Sequence, residues 1–195
     1  MKNKQAQKKD FDRLVQIISC SFAKDPCFTW LLGKKKLESK INFLAAYLVE
    51  ETFAKGHISI SPNGDAATFW QSDKKERLSA AAILRDIKFL YYLGLPAVLR
   101  SLKLLRIKNL HIADQNPYLY LACIGVMPEG QGKGLASALL DPVLAEAQQA
   151  GKNVYLETAN PINVSIYKRK GFEIVDEVDL TTIKLTFMVK RCTSI

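Results

Sequence analysis

The sequence predicts a mixed α/β (α+β) fold, in which helices flank both faces of a central and largely antiparallel β-sheet. Segments with helical and with strand-like apolar spacing follow one another in mixed order. The chain has 195 residues, of which 48% are hydrophobic, so it can bury one sizeable core. No long linker or internal repeat divides it. We therefore expect a single domain over residues 1–195.

The first half of the chain is predicted to be mainly helical. Residues 1–10 are polar and lysine-rich without an apolar stretch, which indicates a frayed start and not a secretory signal. Apolar residues then recur at helical spacing in three segments, over residues 11–21, 37–53 and 76–105. The third segment is expected to break near Gly94 and Pro96. Two runs of strand formers are expected to pair, residues 57–61 and 66–71.

The second half predicts strands and helices in alternation. A strand over residues 118–126 leads to a helix over 135–149, which Pro142 should kink or deprive of a hydrogen bond and Gly151 should end. A buried strand is expected over residues 153–157. Asn160 and Pro161 form an N-cap signal for a short helix that reaches Lys170 and stops at Gly171. Two final strands are expected, over residues 172–178 and 182–189.

The most informative stretch is the glycine-rich turn between the strand that ends at Val126 and the helix that begins at Leu135. Gly130, Gly132 and Gly134 allow an anion to approach the backbone closely, and the first amides of the helix lack intrahelical partners. A nucleotide P-loop needs Ser or Thr after its Gly-Lys pair, and a dinucleotide fingerprint needs Gly-x-Gly-x-x-Gly. Neither pattern is present, and a plain surface turn is the structural alternative.

Two motifs resemble the GNAT superfamily of N-acetyltransferases. The first is Val126-x-Pro128 followed by Gln131-x-x-Gly134-x-Ala136, which is similar to the loop that holds the pyrophosphate of acyl-CoA. The second is Asn160-x-x-Asn163-x-x-x-Tyr167-x-x-x-Gly171-Phe172. Between about residues 118 and 178 the chain resembles the puromycin N-acetyltransferase-like branch. The likeness is loose over residues 58–72 and general elsewhere, so the regions that shape an acceptor pocket match least.

The resemblance implies a GNAT-like fold and an acetyl-CoA-dependent N-acetyltransferase that acts on the primary amine of a small molecule. It also implies direct attack of the amine on the thioester in a ternary complex, so that no covalent enzyme intermediate is needed. It implies an acyl-CoA-binding core over about residues 118–178. The backbone of Ile124, Gly125 and Val126 would serve the acetyl and pantetheine end. The pyrophosphate would lie at six consecutive residues: Gln131, Gly132, Lys133, Gly134, Leu135 and Ala136.

Four more side chains are site candidates. Asn160 and Asn163 would contact the cofactor arm, although Asn160 also fits a simple helix cap. Tyr167, on the same helix face as Asn163, would protonate the leaving thiolate, although it also fits an amphipathic core residue. Glu157 is a candidate base, acting directly or through water, and an ion-paired or solvated glutamate is the alternative.

Composition limits the other function classes. Four cysteines without a Cys-x-x-Cys pair and two histidines argue against a metal site, and Cys123 is better explained as a small buried residue than as a nucleophile. The longest apolar region, residues 89–105, is interrupted by glycine, proline and cations, so no membrane span is expected and a cytoplasmic location is the default.

The net charge of +9 raises the question of nucleic acid, but the charges are scattered. A helical series of cations, Arg100, Lys103, Arg106 and Lys108, is expected to form a solvated face or to attract an anionic cofactor. Nucleic acid is therefore not the expected partner. The first alternative to an enzyme is a non-catalytic acyl-CoA-binding regulatory domain, and the second is a basic nucleic-acid-binding module. The charge also favours a small amine with at most one positive charge over a polycation.

Overall fold

The computed structural model describes residues 4–72, 79–112 and 117–192. Seven strands form one sheet in the order β1-β2-β3-β4-β5-β7-β6. The strands are β1 Lys4–Gln5, β2 Gly56–Ile60, β3 Ala66–Ser72, β4 Tyr118–Val126, β5 Asn153–Thr158, β6 Glu173–Asp179 and β7 Lys184–Lys190. Strands β4 and β5 pair in parallel, and the other neighbouring strands pair antiparallel. The predicted mixed and largely antiparallel sheet is confirmed.

Helices cover both faces of this sheet. They are α1 Phe11–Ser21, α2 Pro26–Leu32, α3 Leu37–Lys55, α4 Ala80–Leu93, α5 Leu95–Ile112, α6 Leu135–Gln149 and α7 Pro161–Arg169. Phe69 and Cys123 belong to a core that includes buried residues of α1 to α3, whereas Trp70 and Leu121 belong to a second core with buried residues of α6 and α7. The two cores contain alternate sheet residues because successive side chains of a strand point to opposite faces.

Most predicted elements are present with nearly the predicted bounds. Helix α6 occupies 135–149 as predicted, with Pro142 inside it, and Gly151 follows at a φ of +65°. Asn160 caps α7, and its side-chain oxygen accepts a hydrogen bond from the Ile162 N–H at 3.0 Å. The predicted break near Gly94 separates α4 from α5, and α5 continues to Ile112. The beginning of the segment predicted from residue 76 lies outside the described residues.

The N-terminal segment differs from the prediction of a frayed start. Lys4 and Gln5 form an edge strand against Ile60 and Ser59, so that prediction is wrong for these residues. Both residues are exposed, which leaves no apolar alternation for sequence reasoning to detect. Helix α2 was also not predicted, since its seven residues are shorter than the window over which helical periodicity is visible.

Strands β4 and β5 separate after a short paired stretch. Their three rungs join Tyr118 to Asn153, Leu119 to Val154, and Tyr120 to Tyr155. No further rung joins the remainder of these two described strands, 121–126 and 156–158. Their C-terminal ends therefore diverge and leave a gap in the middle of the sheet.

Candidate functional site

The gap between β4 and β5 contains a cavity of about 220 Å³. Its walls include Cys123 and Ile124 of β4, Glu157 of β5, and both Asn163 and Tyr167 of α7. The four-residue spacing of Asn163 and Tyr167 brings both to the same cavity, as one helix face should. The divergence of the two strands thus brings together residues that are far apart in the sequence.

A second and larger cavity adjoins the first. It has a volume of about 670 Å³ and lies among α3, α4 and α5. Four residues with polar groups line both cavities: Glu51, Lys108, Tyr120 and Glu157. We call these four residues the shared wall. A group that extends from the larger cavity toward the gap between β4 and β5 would therefore pass Glu157 and its neighbours.

Glu157 lies half-buried at the shared wall. Burial raises the pKa of its carboxyl group, against the opposing effects of the Lys108 charge and of hydrogen bonding with the Tyr120 hydroxyl. Its Oε2 atom is buried and has no hydrogen-bond partner among the described residues. This oxygen is therefore shielded from solvent, while the nearby Lys108 charge leaves an ion-paired glutamate as the alternative to a base. An unengaged carboxylate oxygen with a raised pKa is suited to accept a proton.

Tyr167 is 6% exposed and packs edge-on against Phe172, with ring centroids 5.7 Å apart. Burial is the main cause of the raised pKa of its hydroxyl, and the nearby Cys123 and Asp25 add to the effect. A tyrosine with a raised pKa keeps its proton throughout the neutral range. The side chain is therefore a core residue that also lines the cavity and stays protonated at neutral pH.

The glycine-rich turn leaves open space at the start of α6. Gly132 and Gly134 have φ values of +75° and +76°, in the left-handed region that favours glycine, and a Cβ at either position would have no heavy atom within 4 Å. No side chain caps the N-terminus of α6, and Leu135 and Ala136 form its first turn. Its first amides are therefore accessible to an anion, and the exposed Lys133 is beside them.

The end of β4 is held tightly against α1. A Cβ on Gly125 would lie 2.9 Å from Ile17 Cγ2 and 3.0 Å from Ser21 Oγ, so this close packing requires glycine. The Val126 carbonyl accepts hydrogen bonds from Ser21 Oγ at 3.0 Å and from Gln131 Nε2 at 3.4 Å. Gln131 is thereby tied to the strand that precedes the turn, and of the three predicted strand residues Ile124 lines the cavity.

The polar residues of the N-terminal segment were missed by sequence reasoning. Asp25 lines the smaller cavity while its carboxylate caps α2, accepting from the Phe28 N–H at 3.0 Å. Burial raises its pKa. The Asp-Pro signal at the start of α2 was the available clue. Cys123 is buried, and burial raises the pKa of its thiol, which keeps it in the weakly nucleophilic protonated form.

The larger cavity combines an apolar lining with paired charges. Lys55 Nζ lies 2.7 Å from Glu51 Oε1, and Arg85 Nε lies 3.6 Å from Asp86 Oδ1. The Tyr47 hydroxyl also donates to Asp86 at 3.0 Å. Most of the remaining lining is leucine, alanine, valine and phenylalanine. Each of these carboxylates therefore has an internal cation, and the cavity offers an apolar environment with little net charge.

The cationic series of α5 does not form one solvated face. Arg100 donates to the Leu31 carbonyl at 3.2 Å and lies over the Trp30 ring, and Lys108 lies over the Tyr120 ring. Lys103 and Arg106 are exposed. Lys108 therefore faces the site, Arg100 is held against α2, and Lys103 and Arg106 lie at the surface.

The described residues, 4–72, 79–112 and 117–192, contain neither a metal-binding cluster nor a membrane-spanning helix. No group of three or more His, Cys, Asp or Glu side chains is placed to hold a metal ion. No helix is long and apolar enough to cross a membrane.

Comparison with known proteins identifies a family pattern in the second half of the chain. Residues 103–172 match the Acetyltransferase (GNAT) family. Over 62 residues the chain is 36% identical to an uncharacterized N-acetyltransferase of Schizosaccharomyces pombe. That match covers 32% of this chain and 25% of the length of the relative.

Solved structures match over nearly the whole chain. An acetyltransferase of Corynebacterium glutamicum, described as histone acetyltransferase HPA2 and related acetyltransferase, has a TM-score of 0.72 at 20% identity, covering 100% of this chain and 99% of that one. Arylalkylamine N-acetyltransferase 2 of Aedes aegypti has a TM-score of 0.65 at 16% identity, with coverage of 98% and 99%.

A polyamine N-acetyltransferase of Drosophila melanogaster has a TM-score of 0.65 at 13% identity, with coverage of 97% and 99%. At these identities the structural similarity establishes the fold alone. The chain has the fold of the GNAT acetyltransferases, and its residues 103–172 carry the sequence pattern of that family.

Proposed function

We propose that the chain is a cytoplasmic, acetyl-CoA-dependent N-acetyltransferase that acetylates the primary amine of a small molecule. The observation that carries the proposal is the gap between β4 and β5, which places Tyr167 on one side of a cavity and Glu157 at its junction with a second cavity. A donor and an acceptor for protons thus face one enclosed space. Both are needed when an ammonium group becomes an amide and a thioester becomes a thiol.

The residues present fit acetyl-CoA. The uncapped start of α6 offers backbone donors for the pyrophosphate, and the open space beside Gly132 and Gly134 would accommodate it. Lys133 would add a cation, while Gln131, Leu135 and Ala136 complete the turn. The backbone from Ile124 to Val126 would lie along the acetyl and pantetheine end. Asn163 lines the cavity and would contact the arm, with Asn160 beside it at the helix start.

In this reaction the amine nitrogen attacks the thioester carbonyl carbon directly, so a carbon–nitrogen bond forms and the carbon–sulfur bond breaks. Glu157 would accept a proton from the ammonium group, directly or through one water, because its Oε2 atom has no other partner among the described residues. Tyr167 would donate its proton to the departing sulfur. The protonated Cys123 thiol supports attack without an acetylated cysteine.

The larger cavity would receive the acceptor. Its apolar lining and internally paired carboxylates favour an amine with an apolar substituent and a single positive charge. Two structural relatives are named for arylalkylamines and for polyamines, so the fold is compatible with both classes. For this chain the paired charges favour the monoamine class.

Over residues 118–178, the proposal also includes a closer relation to the puromycin N-acetyltransferase-like branch.

The test combines acetyl-CoA titration with a turnover assay. Calorimetry should show acetyl-CoA binding, and thiol detection should show turnover with an apolar monoamine such as phenethylamine. Binding without turnover across a broad amine panel would instead support a non-catalytic acyl-CoA-binding domain. Absence of acetyl-CoA binding by the folded protein would reject both of these functions.

A further inference from the structure

Helices α4 and α5 expose an apolar surface that the fold leaves uncovered. Among the described residues, fourteen large apolar side chains are exposed, and eleven of them belong to these two helices. The eleven are Ile83, Leu84, Ile87, Leu90, Tyr91, Tyr92, Leu95, Leu99, Leu102, Leu105 and Leu110. We call this set the α4–α5 apolar face. Three of its residues, Leu90, Leu102 and Leu105, also line the larger cavity, so the exposed surface adjoins that cavity.

The helical spacing of α4 shows that these residues do not serve the core. Phe89 and Leu93 are buried and face inward. Leu84, Ile87 and Tyr91 follow one another at intervals of three and four residues and are 53%, 58% and 80% exposed. A surface helix normally carries a single apolar stripe, which faces the core. The second stripe of α4 therefore requires an apolar environment outside the domain.

The size of this face separates it from ordinary surface variation. Scattered apolar side chains on a protein surface need no explanation, but contiguous patches of more than a few hundred Å² are rare on soluble monomers and mark interaction sites. Here α4 and α5 pack against each other, and both carry exposed apolar side chains along their length. The α4–α5 apolar face is therefore an interaction surface.

The exposed charges of α4 and α5 indicate what kind of partner the α4–α5 apolar face binds. Lys88, Lys103 and Arg106 are exposed on the same helices, whereas Asp86 is the only exposed acid in the described part of α4 and α5. Pairing of this face with a second copy would bring like charges together, since a twofold interface uses the same patch twice. An anionic surface would instead complement the exposed cations and the net charge of +9.

A cationic cleft borders this face. The cleft has a volume of about 800 Å³, and Lys34, Arg100 and Lys103 are among its lining residues, which include no Asp or Glu. Arg100 is held in place by the Leu31 carbonyl and the Trp30 ring. Cations without carboxylate partners in the lining suit the phosphate of a lipid headgroup.

We infer that the α4–α5 apolar face binds the surface of an anionic phospholipid bilayer. The apolar side chains of α4 and α5 lie in the boundary between headgroups and acyl chains, with both helices in the plane of the interface. Lys88, Lys103 and Arg106 contact lipid phosphates, and Tyr91 and Tyr92 place amphipathic rings at the headgroup level. This mode of binding does not require a membrane-spanning helix.

Vesicle sedimentation tests the inference without using enzymatic activity. The protein should sediment with vesicles made of equal parts phosphatidylcholine and phosphatidylglycerol, and much less with vesicles of phosphatidylcholine alone. Increasing salt should weaken the binding, because salt screens exposed charges. Equal sedimentation with both vesicle types, or none with either, would overturn the inference.

Two variants separate the apolar and the charged contributions. The triple variant Ile87→Gln, Tyr91→Gln and Leu99→Gln should lose most vesicle binding. Reversal of the three exposed cations, Lys88→Glu, Lys103→Glu and Arg106→Glu, should weaken partitioning by at least about 100-fold, because loss of three cations at roughly 1 kcal/mol each already gives about that factor. All of these side chains point outward, so circular dichroism should show unchanged folding.

Matched controls carry the same changes elsewhere on the surface. The apolar control is Ile162→Gln, Ile174→Gln and Val175→Gln, and the charge control is Lys8→Glu, Lys9→Glu and Lys35→Glu. Both should retain most of the vesicle binding. Equal losses in a variant and its control would contradict the assignment to α4 and α5. Sedimentation velocity that shows a dimer dissolved by the Gln substitutions in α4 and α5, without vesicle binding, would assign the face to a second copy and overturn the inference.

Discussion

The Lys108 ammonium group lies 4.3 Å from the centre of the Tyr120 ring. This contact fixes a cation from α5 against a buried tyrosine of β4, on the wall that separates the two cavities. The same cation lowers the pKa of Glu157, while burial raises it. Lys108 therefore moderates the basicity of the carboxylate that is the candidate proton acceptor.

Ionisation of Glu157 should produce the acidic limb in the pH dependence of kcat/KM. The carboxylate is the active form, so kcat/KM should be fully expressed above the Glu157 pKa and fall as the pH drops through it. Because burial raises this pKa, the fall should begin at a higher pH than for an exposed glutamate. Glu157→Gln should remove this limb and lower turnover by roughly 10²-fold or more.

The control for Glu157 is Glu173→Gln on β6, where the side chain is exposed. It should keep both the rate and the acidic limb. An unchanged acidic limb in Glu157→Gln would assign that ionisation to another group.

Tyr167→Phe should reduce turnover by about 10²- to 10⁴-fold, the usual range for loss of a general acid. The ring and its packing against Phe172 are retained, so acetyl-CoA affinity measured by calorimetry should change little. Tyr155→Phe is the matched control, since Tyr155 is a buried tyrosine of β5 in a different core cluster. If both variants turn over normally when chemistry limits the rate, Tyr167 has no part in proton transfer.

Gly134→Glu should weaken acetyl-CoA binding by at least ~10-fold, because it puts a negative charge and a bulky side chain at the proposed pyrophosphate site. Gly151→Glu provides a close control at the other end of α6. The two glycines have φ values of +76° and +65°, and a Cβ at either meets no heavy atom within 4 Å. Both substitutions therefore strain the backbone similarly. Equal affinities in the two folded variants would place the pyrophosphate elsewhere.

Lys55→Met should broaden acceptor use toward polyamines. Lys55 lies 2.7 Å from Glu51 in the larger cavity, so its removal leaves the carboxylate available to a second ammonium group of the substrate. We expect kcat/KM for spermidine, relative to phenethylamine, to rise roughly 5-fold, because a partly exposed ion pair contributes about 1 kcal/mol at most. Lys184→Met, which breaks an exposed pair with Glu177, should leave this ratio unchanged.

The local structure on the proposed cofactor side could be predicted from sequence because its signals are local. A glycine needed for a left-handed turn, the Asn160 cap and the four-residue spacing of Asn163 and Tyr167 each depend on a few neighbouring residues. The same local rules located α6 at its observed bounds and α7 within one residue at its end.

The acceptor side could not be predicted in this way. Glu51, Lys108 and Glu157 come from α3, α5 and β5, and their meeting depends on the divergence of β4 and β5 and on helix packing. These residues are far apart in the sequence, so no local sequence pattern predicts that they meet. Glu157 shows the difference clearly, since its position was predicted but its burial and its raised pKa were not.

The three rungs that join β4 to β5 also make the middle of the sheet less well connected than the antiparallel pairs on either side of it, β3–β4 and β5–β7. Beyond Tyr120 and Tyr155, backbone amides that point into the gap have no ladder partner across it and should exchange rapidly with deuterated water. A thioester substrate bound in the gap would contact both β4 and β5 and so link the two parts of the sheet. Slower amide exchange over residues 121–126 and 156–158, together with a higher melting temperature, should then accompany binding.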